Sequence, residues 1–247
     1  MACLLPGVNI LNNIVAHGFR LQHCSTDGYA SRYHKYYTQI TAELATWEAN
    51  LPGRYRCSHS NTAAAIAAHD FNNYFILQSI FCLSGMKLNS IGRCAMHSPE
   101  DIVDKIRRAR RHARDLLSIV GLVVRIGLAR RSMDIENAMA QPMASYAILS
   151  ACDILSAAGE ANALDDITGL LRDARLVLGE LGRFWHAAAG HTRQVEARQA
   201  ELAGFAGSSF WRVRGTLEGP GVRQDHDFIH GVTPALLFDA LAGESYP

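Results

Sequence analysis

No C-x-x-C pair, no long apolar run and no excess of either charge occurs in these 247 residues, and each absence removes a class of protein. The six cysteines, at 3, 24, 57, 82, 94 and 152, follow no regular spacing, which argues against a disulfide framework and a compact structural zinc site and fits a reducing compartment. The longest apolar run, 116–124 with Ser118 inside it, is less than half of the ~20 residues a membrane helix needs, so no membrane association is expected. No basic stretch precedes Leu4, Leu5 and Val8, and Pro6, Gly7, Asn9, Asn12 and Asn13 interrupt them, so no secretory signal is expected. Lys+Arg 24 against Asp+Glu 23 leaves a formal charge of +1, too little for a global field that holds the chain on a polyanion. A Gly-x-Ser-x-Gly elbow, a P-loop and a Gly-x-Gly-x-x-Gly turn are all missing.

What is present is helix periodicity. With 49% hydrophobic and 19% charged residues, the chain can bury a core, and its length suits one domain with ragged ends. Tyr33, Tyr36, Tyr37, Ile40, Leu44 and Trp47 recur at three and four, which predicts a helix from Tyr29 to Glu48 stopped by Leu51-Pro52-Gly53. Residues 61–84 carry too many apolar positions for a surface helix, and predict one buried helix or two short ones with Asn61 as N-cap. Ser98-Pro99-Glu100-Asp101 combines a cap, a first-turn proline and two acids, and opens a helix predicted to run to Arg125 with Ile102, Ile106, Ala109, Ala113, Leu116 and Val120 inward. Further helices are predicted from Pro142 to Gly159, from Leu164 to Trp185 and on to Phe205. No run of alternating strands stands out. The expected fold is all-α, an irregular multi-helix array over 29–205, between an N-terminal segment 1–28 and a Gly-rich, partly disordered tail 206–247.

Chemistry-bearing residues are present without a motif to organise them. His226 and His230, flanked by Asp225 and Asp227, have the i, i+4 spacing of metal ligands, but they sit in a Gly-rich stretch with no third ligand. His186 and His191 fall on different helix faces. Asp165 and Asp166 read as first-turn acids favoured by the helix dipole, with no further carboxylates one turn on to complete a magnesium site. No catalytic residue, metal site or cofactor is therefore expected. Lys105, Arg107, Arg108, Arg110, Arg111 and Arg114 place six cations in ten residues; they read as a solvated helix face, a nucleic-acid contact, or, between these, a surface for an anionic partner. Leu236, Leu237, Phe238 and Leu241 form an acidic-hydrophobic patch that reads equally as a peptide docking on a co-regulator or as an end helix packed on the body.

The order of the helical pieces resembles the regulatory (middle homology) domain of fungal-specific transcription factors. Trp47-Glu-Ala-Asn-Leu-Pro52 is similar to that family's tryptophan and Leu-Pro step, and 69–81 to its long apolar helix. Segment 109–117 is similar to its Ala-rich helix, 141–151 to its Pro-then-aromatic helix, and 171–188 to its last pair, closing on Trp185. The family's six-cysteine zinc cluster and basic linker are absent from the chain. The resemblance implies a nuclear regulatory module without its own DNA reader, binding a small apolar effector, a co-regulator or a second copy of itself, and reaching DNA only weakly or through others. The rival reading is an all-helical enzyme or ligand-binding protein for an apolar metabolite, located in the cytoplasm. A shortened gene product with no independent role is the third.

Overall fold

A computed structural model describes residues 3–22, 26–90, 97–130, 142–213, 228–229 and 231–242. In chain order these form α1 (Leu4–Gln22), α2 (Thr26–Asn50), α3 (His59–Ala67), α4 (Phe71–Leu88), α5 (Pro99–Arg130) and α6 (Pro142–Ser156). A short strand β1 (Ala158–Glu160) leads to α7 (Leu164–Leu181) and α8 (His186–Ala203), and β2 (Phe210–Arg212) precedes α9 (Pro234–Leu241). The fold is all-α, and the sheet among the described residues is one antiparallel pair that sets Ala158 opposite Arg212 and Glu160 opposite Phe210.

Local chemistry explains the boundaries. Ser98 Oγ accepts the Asp101 amide at 3.2 Å, so the first turn of α5 is capped as its sequence predicts. The apolar stretch 61–84 divides into α3 and α4, and the cap of α3 is Ser58, whose hydroxyl takes the Asn61 amide at 3.0 Å. Asn61, expected as the cap, instead donates its side-chain amide to the carbonyls of Gly53 and Arg56, each at 2.8 Å. The break between the two helices is a Schellman turn: Asp70 N–H reaches Ala65 O at 2.9 Å and His69 N–H reaches Ile66 O at 3.3 Å, with His69 at φ 57° where glycine is usual.

The long helix α5 is the hub, packed on α4, α6, α7 and α9. Its six predicted inward residues are all buried, and in the second half Leu117, Ile119, Val123 and Val124 are buried as well, so its buried face widens there while Arg125 stays exposed. A second apolar cluster, built by α1, α2 and α4 around Ile14, Tyr36, Ile40, Leu44 and Trp47, meets the first through Tyr55, Phe81 and Met143. Helix α1 joins it at close range: a Cβ on Gly7 would lie 2.4 Å from the Trp47 indole, whose Nε1 donates to Cys3 O at 2.8 Å. Of the segment set apart as a tail, Trp211, Val213, Phe228, Ile229, Leu237 and Leu241 are buried in the main core.

The C-terminal end of α6 is a polar node inside this core. Carbonyls of its last turn and of the start of β1 point at buried donors: Arg110, 3% exposed, donates to Leu155 O at 3.3 Å and to Ala158 O at 3.0 Å. Arg198, also 3% exposed, donates to Ser156 Oγ at 2.9 Å, and the Trp211 indole N–H closes Ser156 O at 3.1 Å. Cations at a helix C-terminus complement its partial negative charge and satisfy carbonyls that the helix itself leaves open.

Candidate functional site: a tyrosine-lined cavity

The face of α2 that carries Tyr29, Tyr33 and Tyr36 does not close fully on its neighbours. Between it, α1, the end of α4 and the middle of α6 lies a cavity of about 380 Å³. That volume lies in the range of small-molecule pockets. From α1 it takes Ile14, Val15, Gly18, Phe19 and Leu21; from α4 and just after it, Lys87, Leu88 and Ser90; from α6, Tyr146, Ser150, Asp153 and Ile154. Phe228 completes the wall. Gly18 contributes space: a Cβ built there meets no atom within 4 Å. Val15 and Phe19, 59% and 64% exposed, make an apolar rim.

The tyrosines are neutral donors. Burial, reinforced by the neighbouring phenols, pushes the Tyr33 hydroxyl far above its ordinary range, and burial does the same at Tyr36. Tyr36 uses its proton on Ile14 O at 3.3 Å and stacks on His17 with centroids 4.7 Å apart. Tyr29 meets His97 Nε2 at 3.2 Å. Behind the wall, the Lys105 ammonium sits 3.4 Å from the centroid of Tyr37 and 5.2 Å from that of Tyr33, a cation held on aromatic faces. Burial lowers the pKa of that amine from its usual value.

Two polar atoms in the wall have no hydrogen-bond partner: Tyr33 Oη and Ser150 Oγ, the latter on a residue 3% exposed. Both oxygens are sealed from solvent, and leaving a buried hydroxyl unsatisfied costs about 1–3 kcal/mol. Lys87 reaches the same region, its ammonium 5.1 Å from the centroid of Tyr146. Asp153 is paired with Arg198 at 3.5 Å.

The six cations of 105–114 do not share a face. Lys105 and Arg110 are each 3% exposed and so are no part of an anionic-partner surface, a correction that follows from their engagement by tyrosine rings and by the Leu155 and Ala158 carbonyls. Arg107 donates to the carbonyls of Asp239, Ala240 and Ala242 at the end of α9. Arg114 binds Asp166 at 2.6 Å and Arg108 binds Asp104 at 2.7 Å, while Arg111 is exposed. The co-regulator patch is likewise divided: Leu237 and Leu241 are core residues, Leu236 is half-buried, and Phe238, 46% exposed, packs on Phe210 with centroids 4.4 Å apart.

Asp165 and Asp166 do occupy the first turn of α7, and His186 is exposed at the start of α8. Asp225, His226, Asp227 and His230 lie outside the described residues. Among the described residues, no group of three or more His, Cys, Asp or Glu is placed to hold a metal ion, and no helix is long and apolar enough to cross a membrane. Cys3, Cys57, Cys82 and Cys152 are free thiols. Sequence reasoning used the α2 tyrosines as apolar core and missed Gly18, Tyr146, Ser150 and Phe228; the available signal was the hydroxyl carried by every aromatic of the 29–37 face, unusual for a stripe that meets only hydrocarbon. Comparison of the chain with protein-family models, with curated proteins and with solved structures gives no match.

Proposed function

We propose that this chain is the effector-binding regulatory module of a transcription regulator, a helical body that takes a small, largely apolar molecule in the tyrosine-lined cavity. The observation that carries ligand binding is the cavity itself, about 380 Å³, with a wall dominated by aromatic and aliphatic side chains. The regulatory role rests on the family resemblance of the helix order, and with it the nuclear location and the absence of direct DNA reading. A ligand acts by preferring one packing of the helices around it, and shifts the population by its differential affinity. The cavity is suited to this because its walls come from distant parts of the chain, from Ile14 to Phe228.

The test is a cavity-filling substitution. Gly18→Leu places a side chain into open space within a helix, so the chain stays folded while the cavity is occluded. The full chain should enhance the fluorescence of N-phenyl-1-naphthylamine, a neutral apolar probe, and Gly18→Leu should abolish that enhancement with no loss of melting temperature. In a reporter assay with the chain fused to a heterologous DNA-binding domain, Gly18→Leu should change transcriptional output. Equal probe binding by both proteins refutes the cavity as the site, and unchanged reporter output refutes the regulatory role.

A further inference from the structure

Resting on the ligand-binding reading, we infer that the cavity selects an uncharged, flat aromatic molecule and rejects ions, because the charged side chains in and beside its wall are balanced against one another. Among the described lining residues, Lys87 and Asp153 carry charge. The Asp153 carboxylate lies 3.5 Å from the Arg198 guanidinium, which also meets Glu201 at 3.2 Å. The Lys87 ammonium rests on the Tyr146 ring, 5.1 Å from its centroid. Two cations and two carboxylates therefore leave no net charge at the α4–α6 end for a ligand to answer. An ion that enters stands without a counter-charge, or takes one from its partner and leaves that partner uncompensated; Arg198, 3% exposed, has no recourse to water.

Hydroxyls of the wall are committed in the same way. Tyr36 Oη donates to Ile14 O at 3.3 Å, Tyr29 Oη meets His97 Nε2 at 3.2 Å, and Ser90 Oγ donates to Met86 O at 2.9 Å. Tyr33 Oη and Ser150 Oγ are sealed from solvent and so do not open on the cavity. Burial keeps the Tyr33 and Tyr36 phenols neutral, so they add no negative charge on the α2 side. What the wall does offer is ring surface. Tyr29, Tyr33 and Tyr37 follow one another a turn apart as near-parallel rings, with 19° and 16° between neighbouring planes and centroids 5.6 and 5.7 Å apart. Phe19 from α1, Tyr146 from α6 and Phe228 bring further rings to the same space. A flat ring system gains offset and edge-to-face contacts on such walls that a saturated body of equal area does not. At about 380 Å³ the cavity is near the lower end of small-molecule pockets, which limits the body to about two or three rings.

The experiment displaces N-phenyl-1-naphthylamine from the full chain at pH 7 with four competitors of one skeleton: 2-naphthol, 2-naphthoate, 2-naphthylmethylammonium and decahydro-2-naphthol. 2-Naphthol should compete about tenfold better than either ion and several-fold better than the saturated alcohol. Upsetting the charge balance should move the order in a known direction. Lys87→Met should favour the ammonium and Asp153→Asn the naphthoate, while 2-naphthol competes as before. Lys87→Gln and Asp153→Ser stand in for a variant that thermal unfolding shows not to fold. Arg108→Ala with Arg111→Ala, which removes exposed cations elsewhere, should leave the order intact. Equal competition by an ion overturns the charge selection, and equal competition by decahydro-2-naphthol overturns the aromatic assignment, while the cavity stands in both cases. If the Lys87 and Asp153 variants leave the order unchanged, the balanced side chains do not set it and the inference falls. If the probe itself does not bind, or Gly18→Leu binds it as wild type does, the ligand-binding reading falls, and this inference with it.

Discussion

The Nε of Arg107 donates to the carbonyl of Ala240 at 3.1 Å, joining the middle of the basic helix to the last turn of the chain's final described helix. Two features that read as separate in the sequence, a run of cations and a hydrophobic terminal patch, thus hold each other. The guanidinium adds to the C-terminal cap of α9, where the Ala242 amide already closes onto Phe238 O at 2.8 Å, since it also reaches the carbonyls of Asp239 and Ala242. Arg107→Ala should therefore loosen α9 by about 1 kcal/mol, the modest value due to an exposed cation. Amide exchange over 234–241 should speed up about fivefold while α5 keeps its protection. Identical exchange in α9 would show the contact to be idle.

Arg110 differs from its neighbours in being enclosed. Replacing it by Met leaves the carbonyls of Leu155 and Ala158 without their donor and should cost about 2–4 kcal/mol. Arg108→Met and Arg111→Met, on exposed positions, should each stay within about 0.5 kcal/mol. Urea unfolding of the three variants provides the comparison, and three equal midpoints would dissolve the distinction.

Glycine substitutions should divide in sign. At Gly85 an added Cβ falls 2.2 Å from the His112 ring, so Gly85→Ala should destabilise by about 1–3 kcal/mol. In a His112→Ala background much of that loss should vanish, a coupling read from a double-mutant cycle. Gly18→Ala meets nothing and should stabilise the helix by up to about 1 kcal/mol.

Acid should weaken the fold through the same histidine. Burial, with Arg111 and Arg108 nearby, lowers the His112 pKa to about 4 from an ordinary 6.5. Between those values the unfolded chain binds the proton and the folded one does not, so this contribution is intact above about 6.5 and is lost as pH falls towards 4. Burial lowers His191 as well and adds to the slope, while the raised Asp115 opposes it, being favourable at low pH and fading as pH rises. The difference between wild type and His112→Phe isolates this contribution: their stability gap should narrow by on the order of 2 kcal/mol from pH 7 to pH 4.5. A gap that is constant with pH would mean that the ring is protonated or solvated in the fold.

Element type was legible wherever local chemistry decided it. Ser98-Pro99 opens α5, Leu51-Pro52 closes α2, and the period of Ile102, Ile106 and Ala109 faces the core, because caps, prolines and side-chain spacing act within a few residues. Helix α1 is not legible, since Pro6, Gly7 and three asparagines hide a stripe of Ile10, Ile14 and Leu21 whose cluster partners, such as Tyr36, Ile40 and Trp47, lie on the next helix. Lys105 and Arg110 were read as surface because charge is usually solvated; only tertiary contact supplies the rings and carbonyls that let them be buried. The cavity was out of reach for the same reason: its wall joins Gly18, Tyr33, Ser150 and Phe228, and no local pattern links them.

The small β1–β2 pair has a bearing on how the chain folds. Residues 161–209 leave and return at one point, because Glu160 faces Phe210 and the Ala161 amide bonds to Ser209 O at 3.0 Å. Everything between is an αα-hairpin, α7 against α8. Once that hairpin has formed from contacts close in sequence, its two ends already lie near each other, and the strand pairing closes a loop whose entropy has largely been lost beforehand. The clasp then acts as a latch on a unit that assembles early, and Trp211, carried on it, brings its indole onto Ser156 and Gly159 only when the latch engages.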